Sequence, residues 1–118
     1  MNYYLYNIVN ERHLSILKLG ICEIDIESKF INNRLLSLED ILFNYEKNLK
    51  LDFLILNYNS DDLNKIKDMK CGIIIIIQDY SKINECFNII KNNNNLIILE
   101  YNFTIDMIKD NLSMYFKK

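Results

Sequence analysis

The sequence predicts an α/β protein, a three-layer α/β/α sandwich built on a five-stranded parallel sheet in the order 2-1-3-4-5. Three observations predict it. First, residues 71–81 contain five consecutive isoleucines, Ile73 to Ile77. A β-branched run with no polar residue alternating through it reads as a strand buried on both faces, the situation inside a parallel sheet covered by helices on each side. Second, strand-like and helix-like segments alternate five times with short connections, which implies right-handed crossovers. Third, residues 21–27 set Cys22, Ile24 and Ile26 against Glu23, Asp25 and Glu27. That alternation suits a half-exposed edge strand, and the order 2-1-3-4-5 places it at an edge with the isoleucine run inside.

The elements follow in order. Residues 3–9 are aromatic and aliphatic and form strand one. Residues 11–19 carry Leu14, Ile16 and Leu17 at helical spacing and are followed by Gly20, a C-terminal helix signal. Residues 21–27 are then strand two. A first helix continuing through Ile21 and Ile24 competes with this reading, and Gly20 with the strict alternation favours the strand. Residues 28–36 fit a loop, a strand extension or a helical turn. Ser37 and Asp40 resemble a capping box that opens helix two, with Leu38, Ile41, Leu42 and Tyr45 as its stripe to about Asn48. Residues 51–56 are strand three. Ser60 caps a short helix with Asp61 and Asp62 in its first turn, where the dipole favours negative charge, and with Leu63, Ile66 and Met69 inward. After the isoleucine strand Ser81 caps helix four, with Ile83, Phe87 and Ile90 inward. Residues 92–95, four asparagines, suit a turn. Residues 96–99 are strand five, and Thr104 caps a last helix lined by Ile105, Ile108, Leu112 and Tyr115 and closed by Lys117 and Lys118.

Composition bounds the classes. At 118 residues, half of them hydrophobic and a quarter charged, with no proline, residues 1–118 form one ordered domain. The formal charge is −2 and no Lys/Arg cluster falls on a predicted helix face. Nucleic acid is therefore a disfavoured partner, since phosphate contacts dominate that affinity. No apolar run approaches the roughly 18 residues of a membrane span, and the N-terminus lacks the basic and apolar regions of a signal peptide. A cytoplasmic location is expected. Cys22, Cys71 and Cys86 are odd in number and widely spaced, and the single histidine, His13, is near none of them. Reduced thiols are expected, without a metal site or cofactor: Cys22 and Cys86 in the core, Cys71 buried in its strand. His13 is expected at the surface or half-buried.

In such a sheet ligands bind beyond the carboxyl ends of the strands. The residues there are Asn10 and Glu11, Asn57 and Tyr58, Gln78 and Asp79, and Glu100 and Tyr101. "Ile-Val-Asn-Glu-Arg", "Leu-Asp-Phe-Leu-Ile-Leu-Asn", "Ile-Ile-Gln-Asp-Tyr" and "Leu-Ile-Ile-Leu-Glu-Tyr" resemble the four strand ends of a response-regulator receiver domain, a flavodoxin-like fold of bacterial signalling proteins. The order and spacing are similar over essentially the whole chain, with a shortened first helix and a shorter segment between strands three and four. In that family two acidic residues after strand one hold magnesium, an Asp after strand three accepts phosphate, and strands four and five end in Thr or Ser and in Lys. The resemblance carries these roles to Asn10 and Glu11, to Asn57, to Gln78 and to Glu100. Almost every position departs from the pattern. An amide does not form an acyl phosphate as a carboxylate does, and Glu100 repels a phosphoryl group that a lysine attracts.

The resemblance thus implies a degenerate pseudo-receiver, not an enzyme, that is not phosphorylated on aspartate and works as an interaction module on a protein partner or as a homo-oligomer. Tyr80, Tyr101 and Phe103 flank the face of helix four, strand five and helix five, a common docking surface in receivers, and are the expected partner-binding residues; Tyr58 is a further loop aromatic. Folding back to cap the sheet is the alternative for all four. Two other functions compete. A small metal-binding protein or enzyme would use Glu11, Asp79 and Glu100 if they converge at the sheet edge. An inhibitor or immunity-type protein would bind tightly without chemistry.

Overall fold

The structure, a computed structural model, describes residues 1–31, 37–47, 50–91, 93 and 95–115. Its strands are β1 (Asn2–Tyr6), β2 (Lys29–Phe30), β3 (Phe53–Asn57), β4 (Gly72–Ile77) and β5 (Leu96–Glu100). Its helices are α1 (Glu11–Ile24), α2 (Leu38–Lys47), α3 (Ser60–Ile66), α4 (Ile83–Ile89) and α5 (Ile105–Leu112), with single 3-10 turns at Tyr80–Lys82 and Ser113–Tyr115. All pairings are parallel and the order is β2-β1-β3-β4-β5, as expected.

The isoleucine run is the centre of the molecule. Every residue of β4 is buried. Its side chains alternate between two cores: Ile73, Ile75 and Ile77 face α2, α3 and α4 with Ile41, Leu63 and Cys86, while Ile74 and Ile76 face α1 and α5 with Leu17, Ile21 and Ile108. A strand that fills two cores has no position for a polar residue, which is why the run is unbroken.

Strand two is the main correction. Residues 21–24 complete α1, which has 14 residues and is not shortened; β2 is the two-residue pairing of Lys29 and Phe30 with Asn2 and Tyr3. Leu14, Leu17, Ile21 and Ile24 continue one helical stripe into the core, whereas the alternation would have buried Ile26, which is 87 % exposed. Gly20 misled because its role is packing, not termination. A Cβ there would lie 2.8 Å from Ile108 Cγ2, so the missing side chain lets α1 and α5 touch. Cys22 is consequently exposed on the outer face of α1 and not in the core.

Smaller corrections share a cause: short polar side chains cap from one or two residues earlier than expected. Asn59 Oδ1, not Ser60, accepts from Asp62 N at 3.1 Å to cap α3. Asp79, not Ser81, caps the turn before α4 by accepting from Ser81 N at 2.9 Å. On α4, Cys86 and Ile90 are buried as expected, but Phe87, expected inward, is 53 % exposed. The box at α2 forms as expected, Ser37 Oγ accepting from Asp40 N at 3.1 Å, and Thr104 caps α5. The end of helix two at Asn48, the turn residues Asn92 and Asn94, the side chain of Tyr115, Lys117 and Lys118 lie outside the described residues, as does 32–36 of the unassigned stretch.

Candidate functional site

The sheet's carboxyl end is built by four loops. β1 ends at Tyr6, earlier than the expected Val9, because Asn7 turns into the left-handed region at φ 56°. Asparagine tolerates that geometry better than other side-chain-bearing residues. The position level with Asn57 is therefore Asn7, since Tyr6 pairs with Leu56. Asn57 Nδ2 donates to the Asn7 carbonyl at 3.0 Å. Asn10 and Glu11 sit further on, at the start of α1. Asn10 Oδ1 caps that helix by accepting from His13 N at 3.0 Å, and Glu11 is exposed in its first turn.

Tyr58, the residue after Asn57, is half-buried and donates its hydroxyl to Glu85 Oε2 on α4. That bond to a carboxylate is the first cause of a phenol pKa pushed up to about 12. The Lys82 ammonium lies 5.9 Å from the same ring. Gln78 and Asp79 follow β4 and are exposed. Asp79 is held below the usual carboxylate range chiefly by the Ser81 N–H, so its charge is committed to the cap. Glu100 closes β5, level with Ile77, and its carboxylate raises the pKa of the Tyr80 phenol.

The loop after β5 is held to α1 at three points. Asn10 Nδ2 donates to the Tyr101 hydroxyl at 3.0 Å and Arg12 Nη2 to the Phe103 carbonyl at 2.9 Å. His13 Nε2 is 2.6 Å from the Tyr101 carbonyl; a carbonyl only accepts, so Nε2 carries the proton. The imidazole packs at 74° to the Tyr101 ring, 4.5 Å between centroids, and 4.8 Å from Phe103. His13 is 1 % exposed, neither surface nor half-buried as expected. Its backbone position in the first turn of α1 gave no hint that the β5–α5 loop would close over it.

Of the expected partner residues, Tyr80 and Tyr101 are exposed, 61 % and 44 %, and Phe103 is fully buried. Phe103 folds back onto His13 and the α1–α5 core, so it is no docking residue. Phe87 on α4 and Met107 on α5 are also exposed. Sequence reasoning missed Asn7, Arg12 and Glu85. An Asn just after an aromatic strand was the available sign for Asn7; nothing local marked the other two, whose partners are distant in the chain.

The magnesium that the resemblance implies does not fit these residues. Asn7 and Asn57 stand where carboxylates are needed, and the Asn7 carbonyl already accepts from Asn57. Glu11, Asp79 and Glu100 do not converge either: among the described residues no group of three or more His, Cys, Asp or Glu could hold a metal ion. A cleft of about 510 Å³ opens beside β1, against α1 and Phe30, lined by Asn7 and Glu11 of the candidate site and by Leu5, Ile8, Leu14 and Lys18 among others. Asn57, Gln78 and Glu100 do not line it. Among the described residues no helix is long and apolar enough to cross a membrane.

No protein-family model and no curated protein matches the sequence. Among solved structures, the chain is similar to the response regulatory domain of protein mrkE from Klebsiella pneumoniae. The TM-score is 0.70 at 16 % identity, over 97 % of this chain and 93 % of that one. It is also similar to a part of the Francisella novicida lysine decarboxylase LdcF. There the TM-score is 0.59 at 15 % identity, over 98 % of this chain but 17 % of that one. Such identities speak to fold, and the same fold serves a regulatory domain in one and a segment of an enzyme in the other. The chain thus has a receiver-like, flavodoxin-like α/β fold whose strand ends carry amides and a glutamate.

Proposed function

We propose that this chain is a receiver-like, non-catalytic interaction module that takes no phosphoryl group and acts by docking to a protein partner or to a second copy of itself. One observation carries the reading. Asn57 stands at the end of β3 with its amide engaged by the Asn7 carbonyl, so the acceptor position offers neither a carboxylate nor a free side chain. Glu100 at the end of β5 adds repulsion toward a phosphoryl group. What the edge does present is aromatic and apolar surface. Tyr80, Phe87, Tyr101 and Met107 are exposed around α4, β5 and α5, and exposed aromatics of this kind anchor protein contacts.

The test is the solution mass by light scattering across a concentration series, for the wild type and for Tyr101→Ala. A concentration-dependent dimer that Tyr101→Ala weakens supports a second copy as the occupant. A dimer that Tyr101→Ala leaves unaffected moves the self-association elsewhere on the molecule. A strict monomer leaves a different protein as the partner. Addition of phosphoryl mass on incubation with a small-molecule phosphodonor and magnesium would sink the reading.

A further inference from the structure

β1 is paired unequally on its two sides. Toward the middle of the sheet it pairs with β3 from Tyr3 to Tyr6, whereas toward the outside it pairs with β2 only at Asn2 and Tyr3. Among the described residues the last bond on that outer side runs from Ile31 N to the Tyr3 carbonyl, at 2.9 Å. The backbone groups of a parallel strand face alternate sides residue by residue, so Leu5, two positions on, turns its N–H and C=O to the same outer edge. The cleft of about 510 Å³ lies there, lined by Tyr4, Leu5 and Tyr6 in succession. Tyr4 belongs to the core under α2 and α3, and Leu5 packs on the core under α1 and α5. Side chains of a strand alternate between its faces, so a cleft that touches three consecutive residues runs along the strand's edge and not over one face. Phe30 of β2 lines it too, and the cleft thus continues the line of β2 past the point where β2 stops.

The second wall is α1. Glu11, Leu14 and Lys18 line the cleft at helical spacing, on one face. Lys18 Nζ lies 4.4 Å from the centre of the Phe30 ring and marks the β2 end; Glu11, at the start of α1, marks the carboxyl end of the sheet. Leu14 sits between the two charges. We infer that the outer edge of β1 is a peptide-binding site: an extended segment of a partner protein pairs with Leu5 as an added parallel strand and sets acidic, apolar and basic side chains, at alternate positions, over Lys18, Leu14 and Glu11. The lengths agree, since the first and fifth residues of a strand are about 13 Å apart and the seven positions from Glu11 to Lys18 rise roughly 10 Å. β5 is the other edge of the sheet, so this site is separate from docking at α4, β5 and α5.

The experiment is amide hydrogen exchange by NMR, with and without the acetylated and amidated peptide Thr-Glu-Thr-Val-Thr-Lys-Thr at millimolar concentration. The Leu5 amide is expected to exchange freely in the protein alone and about fivefold more slowly, or slower still, with the peptide, while the amides of β5 keep their rates. Proline in place of the peptide's valine abolishes the effect, because proline cannot pair in a ladder. Glu11→Lys weakens the peptide's affinity about fivefold, the upper scale of an exposed ion pair, and a peptide with glutamate in place of its lysine recovers the loss. A Leu5 amide already protected in the protein alone would mean a covered edge and would overturn the site. So would a response at β5 instead of β1, no response at millimolar peptide, equal binding of the proline peptide, or an affinity indifferent to Glu11→Lys.

Discussion

At the scale of single residues, Gly20 shows packing prevailing over intrinsic preference. Alanine is a better helix former than glycine by about 1 kcal/mol. At this position, however, a Cβ would meet Ile108 Cγ2 at 2.8 Å and Ile108 Cβ at 2.9 Å, and the second atom is not a flexible chain end. Gly20→Ala is expected to lower the unfolding free energy by about 1–3 kcal/mol, the range for overpacked cores, as read by urea titration. An unchanged or raised midpoint would mean that α5 yields freely. Asn7 makes the opposite case, since backbone conformation alone decides there. Its carbonyl, not its side chain, accepts from Asn57, and its φ is 56°. Asn7→Ala should cost about 1 kcal/mol, as a side chain with no local polar contact to offset it enters the left-handed region, whereas Asn7→Gly should cost less. Equal losses would locate the effect in the Asn7 side chain instead.

At the scale of elements, the isoleucine strand and the α4 helix place two thiols in apolar surroundings. Burial raises Cys71 and Cys86 from an ordinary 9.0 to about 11 each. Between those values the unfolded chain has released protons that the folded one keeps, so the fold binds more protons and stability falls as pH rises. The contribution is complete below pH 9 and is lost as pH climbs from about 9 toward 11. Urea midpoints should therefore drop over that window, and the drop should be shallower in Cys71→Ala or Cys86→Ala than in wild type. A slope unaffected by either change would assign alkaline sensitivity to the tyrosines, of which Tyr58 holds its proton up to about 12. Elements were legible where one period dominated. The strand of five isoleucines and the capped helices α2 and α5 stand where the sequence places them. Residues 21–27 satisfied two periods at once, and the choice between them depended on α5, which is distant in the chain.

At the scale of the whole molecule, we propose a receiver-like fold without the receiver's chemistry. Restoring two functional positions should not restore the chemistry. Asn57→Asp with Glu100→Lys is expected to gain no phosphoryl group from a small-molecule donor with magnesium, by intact mass. Asn7 supplies no carboxylate for the metal, and Gln78 supplies no hydroxyl. Labelling of that double variant would show the remaining edge to be more competent than its residues imply.

By itself the sequence determined the layer architecture, the central strand and the sheet order, because β-branched runs and helical stripes are local patterns with local physical causes. It also determined which side chains the strand ends carry. Only the tertiary structure decided that Phe103 and His13 are buried, that Asn7 rather than Asn10 lies beside Asn57, and that α1 runs through Gly20. Each of those outcomes follows from a contact between segments distant in the chain: α1 against α5, the β5–α5 loop over His13, β1 beside β3. A pattern read along the chain carries no information about a neighbour that the fold, not the sequence order, brings within reach.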